Sequence, residues 1–500
     1  MARIDGLLHG ASADGGRKLG VIGASFFSML TRMAQVLLQF LTVIILARFL
    51  SPSDFGLYGM VTPLVAFFLV MRDAGLGMAT LQSVTISERQ ASTLFYANVL
   101  VGIGLSTFFF LSAGLVAGFY GEVRLVDLVS ALSVMFLFSG VRVQLEALVF
   151  RDRRFRASFI IEIIGSSTAL LVSSGVAIAG FGYWALCARQ LAYEITYTSA
   201  LFLYVGWLPR SFSMDRQTFS LFKFGINAVL SNFVVFFLRN IDNVLIGWKF
   251  GPALLGPYAL GYRTVLLPIQ QVVTPLARVF IPHLSQQKGN AGEFAASYTY
   301  ALRAMMFFVA PPLCAAWICA NEAIGILLGP QWHEAVPIVQ WLIPAGVLQV
   351  AYLSAGWLNF ARGRADRQLR WGLLSSPIII GGFIIGLQWG VVGVAASYPI
   401  TNALLLVPLF AYVIKGTEIT LARLARAMAP VAFTSAIVIF IGAWTRNSAI
   451  SGGLPDFAVL LSVIASTALA MLALSPAVFG WSNLWAIVGG VRRRFAEAKR

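Results

Sequence analysis

The chain has 500 residues, of which 59% are hydrophobic and only 11% charged, and its formal net charge is +16. Soluble domains average about 25% charged residues, so composition excludes an ordinary soluble globular protein. Apolar stretches of about 20 residues recur along most of the chain. They are too long, and too rich in Leu, Val, Phe and Ala, for the alternating strands of a membrane barrel, and they predict an all-α integral membrane protein.

The first 20 residues are polar and carry Arg3, Arg17 and Lys18. The apolar run that follows contains Arg32, is too long for a signal-peptide core and lacks a small-residue cleavage site, so it predicts a first membrane helix that is retained. Predicted spans then run near 21–47, 56–80, 93–119, 126–150, 157–180, 183–206, 220–248, 255–281, 296–320, 335–360, 371–388, 390–414, 428–445 and 454–475, fourteen in all. Arg72 and Asp73 interrupt the second. A further run, 477–491, is short and broken by Gly480, Trp481 and Trp485, and predicts an interfacial helix.

Charge tests this count. With a cytoplasmic N-terminus, 26 of the 36 Lys and Arg residues fall on the cytoplasmic side, four (Arg48, Arg124, Lys249 and Arg446) on the opposite side, and six within spans. A miscounted span would invert the alternation from that point on, and no inversion occurs. Fourteen spans with both termini cytoplasmic follow. The same distribution accounts for the basic net charge as loop charge; no zinc-finger spacing or soluble basic domain points to nucleic acid.

No extramembrane loop is long enough to hold a soluble active site. No GxxxxGK[ST] phosphate loop or HExxH motif occurs, and His9, His283 and His333 are scattered. Cys187, Cys314 and Cys319 lie in apolar runs, an odd number without close spacing, which predicts core packing rather than a disulfide framework or metal site. The expectation is a protein without cofactor or metal that is not an enzyme.

Residues 46–60 read LARFLSPSDFGLYGM and residues 246–260 read IGWKFGPALLGPYAL, so Pro52, Gly56 and Tyr58 recur as Pro252, Gly256 and Tyr258. The offset extends to Leu76/Leu276 and Leu81/Ile281. Six spans precede the second copy, which makes the repeat parallel and predicts two lobes. The expected organisation is a cytoplasmic N-terminus (1–20), a first lobe of six spans (21–210), a second lobe of six (211–415), two added spans (416–475) and a basic interfacial or cytoplasmic tail (476–500). In each corner Pro is expected to end the first helix, Gly to permit a tight turn, and Tyr to sit at headgroup level.

The first span of each lobe carries a polar stripe. Ser28, Arg32, Gln35, Gln39 and Thr42 follow a 4-3-4-3 spacing that places them on one helix face. Under the repeat, Asn232, Arg239 and Asp242 occupy the equivalents of Arg32, Gln39 and Thr42. A charge at mid-helix costs roughly 2.5–3.5 kcal/mol on insertion scales, and Arg32 is too central to snorkel. The stripes are read as lining a hydrated central cavity; a structural ion pair of Arg239 with Asp242, three residues apart, is the competing reading. Arg263 lies in a span broken by Pro268 and Pro275 and joins the cavity set. Arg142 is a further cavity candidate that equally fits a local pair with Glu146, four residues on. Glu162, Arg189, Glu194 and Arg303 lie nearer span ends and are expected to snorkel. The interior leans positive, and Arg, whose planar fork donates in pairs, suits a phosphate.

The corner LARFLSPSDFGLYGM resembles the helix 1–2 junction of the polysaccharide (O-antigen, exopolysaccharide) flippases of the multidrug/oligosaccharidyl-lipid/polysaccharide exporter superfamily. RNIDNVLIGWKFGPALLGPYALGYR, residues 239–263, resembles their helix 7–8 junction, and VFIPHLSQ, 279–286, the end of their helix 8. The resemblance covers residues 20–415. It implies a flippase in the bacterial inner membrane that moves an undecaprenyl-diphosphate-linked oligosaccharide by alternating access, coupled to a proton or sodium gradient; a monomer is expected because one chain encloses a complete cavity by itself. It also implies that basic cavity residues, here Arg32, Arg239 and Arg263, meet the sugar-phosphate headgroup. Three alternatives stand beside it. A drug antiporter of the same superfamily would be expected to have an acidic cavity; a membrane-embedded oligosaccharide polymerase or ligase would need a large periplasmic loop; a peptidoglycan lipid II flippase shares the fold.

Overall fold

The computed structural model describes residues 21–72, 77, 80, 86–152, 154–210 and 216–479; the side chains of 21–32 and 216–239 and of a few other positions lie outside the described set. The predicted N-terminal segment and all of the basic tail beyond 479 are likewise outside it. Among the described residues the chain is helical throughout, without strands: α1 Val21–Phe49, α2 Pro52–Arg72, α3 Glu88–Leu111, α4 Ala113–Tyr120, α5 Arg124–Arg151, α6 Phe155–Ile178, α7 Trp184–Val205, α8 Arg216–Gln286, α9 Ala291–Ile318, α10 Ala320–Leu327, α11 Ala335–Ala361, α12 Ala365–Gly386, α13 Gly390–Val413, α14 Leu421–Ser451 and α15 Asp456–Phe479. Nine helices among these residues are long and apolar enough to cross a membrane. The protein is a multi-pass membrane protein.

Two compact units divide the chain, Met1–Gly256 and Pro257–Arg500. In the first, α5 is central and packs against α3, α7 and α2, while α6 packs against α7 and α1. Helices α3 and α5 approach through glycines: a Cβ on Gly102 would stand 2.7 Å from the Phe136 carbonyl oxygen, and one on Gly140 2.7 Å from that of Asn98. Small residues at such crossings let backbones meet where lipid offers no hydrophobic drive. Phe68, Phe109 and Phe136 pack beside this crossing with ring centroids 5.2–5.8 Å apart. In the second unit α11 packs against α13, α12 against α13, α9 against α14, and α14 against α15.

The two repeated corners are built differently. Pro52 does not end α1; it is the first residue of α2, where its missing N–H is an orphan in any case and its fixed φ suits the helix. Ser51 caps that helix: the Asp54 backbone N–H donates to Ser51 Oγ (3.2 Å), and Asp54 Oδ2 accepts from the Ser51 N–H (2.9 Å) and hydroxyl (2.6 Å). Asp54 Oδ1 also accepts from the Tyr183 N–H at 3.0 Å, tying the start of α2 to the turn before α7. The second copy has Leu254 where the first has Asp54. There helical backbone continues from Arg216 to Gln286, interrupted at Gly251, whose φ of 78° and ψ of −177° turn the chain; glycine takes that conformation without steric cost.

Gly56 and Gly256 are not turn residues. Both lie in helices, and a Cβ on Gly56 would collide with the Pro252 carbonyl, as one on Gly256 would with that of Pro52. The two corners of the repeat thus touch reciprocally inside the first unit, and glycine is there for close approach. Tyr258 is not a headgroup anchor. Tyr58 is half-buried against a cluster of Leu46, Leu50, Ala177, Ala185 and Leu186, and Tyr258 is fully buried.

Loop ends meet within each unit. In the second unit, Arg362 donates to the Gly416 carbonyl at 2.7 Å and to that of Lys415 at 3.3 Å. Partial burial, followed by repulsion from Arg364 and Arg367, lowers the Arg362 pKa from its ordinary value. In the first, the Tyr96 hydroxyl donates to the Pro209 carbonyl at 3.2 Å, whereas Asp54 and Tyr183 meet at the other end. Arg303 does not snorkel: its Nε donates to the Ala427 carbonyl (3.1 Å) and its Nη1 to that of Val478 (3.0 Å), fastening α14 and α15 to α9.

Gly56→Ala and Gly256→Ala are each expected to lower the thermal unfolding temperature of the purified protein in detergent. Gly104→Ala, where a Cβ meets nothing within 4 Å, is expected to hold or raise it by the helix-propensity gain of about 1 kcal/mol. Asp54→Ala is expected to cost about 1–2 kcal/mol through loss of the cap, read in the same assay.

Candidate functional site

The polar stripes are only partly within the described side chains. Arg32 lies on α1, and Asn232 and Arg239 on α8, but their side chains are outside the described set. Gln35 is half-buried and Gln39 exposed on α1. Thr42 is buried and spends its hydroxyl on its own helix, donating to the Leu38 carbonyl at 2.6 Å. Asp242 is 3% exposed, and its Oδ1 accepts from the Asn243 N–H at 2.9 Å. Arg263 is half-buried in the α8 segment belonging to the second unit. Near it in sequence, Tyr262 lines a small recess with Val265, Leu342, Gly346, Gln349 and Tyr398. The Gln349 Oε1 is buried there without a hydrogen-bond partner.

Arg142 is the cavity candidate with the most complete surroundings. Its Nε donates to Glu146 Oε2 at 3.2 Å, and its Nη1 donates to both Glu194 oxygens at 3.1 and 3.2 Å. The guanidinium lies over the Tyr197 ring, 4.7 Å from its centroid, and 5.9 Å from that of Tyr193. The tyrosine hydroxyls extend the network: Tyr197 donates to Glu146 Oε1 at 3.2 Å, and Tyr193 to Glu162 Oε2 at 2.9 Å. The rings stack on one another at 5.5 Å. Three helices supply these groups: α5 gives Arg142 and Glu146, α6 gives Glu162, and α7 gives Tyr193, Glu194 and Tyr197.

This corrects the reading of Glu194, which does not snorkel: its side chain is 4% exposed and paired to Arg142. Ion pairing in a low-dielectric interior, with each oxygen hydrogen-bonded, replaces the water that snorkelling would reach. Glu162 likewise turns to Tyr193 rather than to the helix end. The signal available in sequence was the charge of three successive spans, with Glu146, Glu162 and Glu194 against Arg142 and Arg189. A second polar group sits along α5, where the Thr80 hydroxyl donates to Gln144 Oε1 at 3.3 Å and Arg151 donates to the Thr80 carbonyl at 2.8 Å. Among the described residues no group of three or more His, Cys, Asp or Glu side chains is arranged to hold a metal ion, and the three cysteines are free thiols.

Comparison with known proteins places the chain. Residues 45–337 match the model of a family described as polysaccharide biosynthesis protein. The chain is 30% identical over 408 residues to the teichuronic acid biosynthesis protein TuaB of Bacillus subtilis, covering 79% of this chain and 82% of that one. It is 26% identical over 365 residues to the succinoglycan biosynthesis transport protein ExoT of Rhizobium meliloti, covering 72% and 73%. In fold it is similar to the lipid II flippase MurJ in an inward-closed conformation, with a TM-score of 0.73 at 15% identity over 91% of this chain and 99% of that one.

Arg142→Ala strands a buried glutamate and is expected to destabilise the protein by about 3–5 kcal/mol. Arg142 and Glu194 changed together to Met and Leu are expected to recover most of that loss, measured as unfolding temperature in detergent.

Proposed function

We propose a function from one premise: the chain belongs to the polysaccharide biosynthesis protein family. It is a flippase that moves an undecaprenyl-diphosphate-linked oligosaccharide across the bacterial inner membrane for assembly of a surface or secreted polysaccharide. The match over residues 45–337, together with relatives named for polysaccharide biosynthesis and transport, carries this reading. A flipped lipid needs a polar, cationic path for its headgroup and an apolar flank for its tail, and the sequence supplies mid-span arginines inside apolar helices.

The chain crosses the membrane fourteen times with both termini cytoplasmic, in lobes of six spans at 21–210 and 211–415 with two added spans, and works as a monomer by alternating access. The positive-residue distribution supports this topology, as do the loop contacts at Asp54–Tyr183 and Arg362–Gly416. The cavity residues are Arg32, Gln35, Gln39, Asn232, Arg239, Asp242 and Arg263. Arg142 is engaged by two glutamates; the basic residues proposed to meet the diphosphate are Arg32, Arg239 and Arg263. The surplus of arginine argues against a drug antiporter, and the short loops argue against a polymerase or ligase.

The test is complementation. In a bacterial strain lacking its own polysaccharide flippase, the wild-type chain is expected to restore export of the cognate polysaccharide. Arg32→Ala and Arg239→Ala are each expected to abolish it at unchanged protein level, while Arg32→Lys retains part. Wild-type export in both alanine variants would overturn the cavity assignment.

A further inference from the structure

We propose that the second unit binds the phosphate headgroup of an anionic phospholipid at Arg362, Arg364 and Arg367, where the loop ends of α11, α12 and α13 meet above Trp371 and Tyr412. The proposal does not use the flippase reading; it assigns one edge of the protein to the bilayer around it.

Convergence is the first argument. Loop charge that only sets topology has no need to gather at one point. Here Arg362 and Arg367 both donate to the Lys415 carbonyl, at 3.3 and 3.4 Å, and Arg362 donates also to that of Gly416 at 2.7 Å. Arg362 Nη2 and Arg364 Nη1 stand 3.5 and 4.0 Å from where a Cβ on Gly416 would be. Three like charges thus meet over one turn, at a cost in mutual repulsion. The carboxylates nearest in sequence are turned elsewhere: Asp366 pairs with Arg370 at 3.7 Å, and Glu418 Oε2 lies beside Gly292 at the start of α9.

Unused donors are the second. A guanidinium carries five N–H donors in a planar fork. Arg362 spends two on carbonyls and Arg367 one, and the Arg364 side chain has neither a hydrogen-bond nor an ion-pair partner among the described residues. Donors left over in this geometry suit a phosphate, which accepts them in pairs. A zwitterionic lipid would bring its own ammonium to the same cluster and be repelled by it; an anionic lipid brings phosphate alone.

The third argument is what lies beneath the arginines. The apolar stretch that can cross a membrane begins at Asp366 and ends at Val413, so the cluster stands at its boundary. The Arg367 guanidinium lies over the Tyr412 ring, 4.7 Å from its centroid, and the Trp371 ring is 5.7 Å from that of Tyr412. Tryptophan and tyrosine favour the headgroup level. Arg367, Trp371, Leu374 and Ile378 follow a 4-3-4 spacing on one face of α12, and Leu374 and Ile378 are 64% and 50% exposed. At 1.5 Å per residue, Ile378 lies about 16 Å along α12 from Arg367, close to half the roughly 30 Å hydrocarbon core of a bilayer. A headgroup held on the arginines therefore has an exposed apolar track for its acyl chain. A free phosphate would leave that track unused.

The test is native mass spectrometry of the full-length protein released from detergent and titrated with phosphatidylglycerol, phosphatidylcholine or inorganic phosphate. One phosphatidylglycerol is expected to bind more tightly than any further copy and than phosphatidylcholine. Arg364→Gln, whose side chain has no partner to lose, is expected to weaken that site about fivefold, the contribution of one basic residue near an anionic lipid surface; Arg364→Lys is expected to keep most of the affinity. Arg89→Gln removes the same charge from the exposed start of α3 and is expected to leave the site unchanged. Phosphatidylglycerol with brominated chains is expected to quench tryptophan emission in the wild type and to quench a smaller fraction in Trp371→Phe. Equal affinity for the two lipids, an unaffected Arg364→Gln, an Arg89→Gln that loses as much, or quenching that ignores Trp371→Phe overturns the site. Inorganic phosphate that displaces the lipid at equal concentration overturns the lipid as its ligand.

Discussion

Hydrocarbon offers no hydrogen-bond partner, and most of what is distinctive in this structure follows from that single constraint. Every buried charge has to be answered by protein. Arg142 is answered by two carboxylates and two aromatic faces; Arg303 is answered by two backbone carbonyls. The second solution is instructive. Arg303 takes one carbonyl from near the start of α14 and one from the last turn of α15, where carbonyls carry partial negative charge. A single side chain thereby fixes where the two added helices sit against α9. Charged residues in these spans act as fasteners first, and any transport role has to be built on groups left over from that work.

The same constraint explains the glycines. Without a hydrophobic drive between helices, attraction comes from close packing, and closeness requires the absence of Cβ. Gly102 and Gly140 do this for α3 and α5, and Gly56 and Gly256 do it for the two repeated corners. The repeat therefore preserves what contact demands, a glycine four residues after a proline. It is free to vary what only local geometry demands. The first corner is capped by Ser51 and Asp54; the second is turned by Gly251. Two different local solutions serve one shared contact.

Helix positions were legible in the sequence because apolar length is a direct physical requirement of the bilayer, and helical backbone lies within each predicted segment. The corners were legible as a repeat but not in their mechanics. Pro52 can end one helix or begin the next, and only the capping residues decide; the S-x-x-D pattern at Ser51 to Asp54 was present and carried the answer. Tyr58 and Tyr258 sit near the ends of spans, where an aromatic anchor and a core residue look alike until packing is known. Glu194 failed for a different reason. Distance from a helix end measures whether a side chain can reach water, but its partner, Arg142, stands 52 residues away on another helix. Pairing between spans is invisible to a rule applied one span at a time.

The pairing of Arg142 also changes how the interior charge should be weighed. Counted residue by residue, Arg142 adds to a cationic interior; counted with Glu146, Glu162 and Glu194, its neighbourhood carries an acidic surplus. In the proposed reading the diphosphate therefore meets other residues. An anionic diphosphate is met by arginines that keep their charge at any physiological pH, which are Arg32, Arg239 and Arg263. A headgroup that approached the Arg142 cluster would face carboxylates.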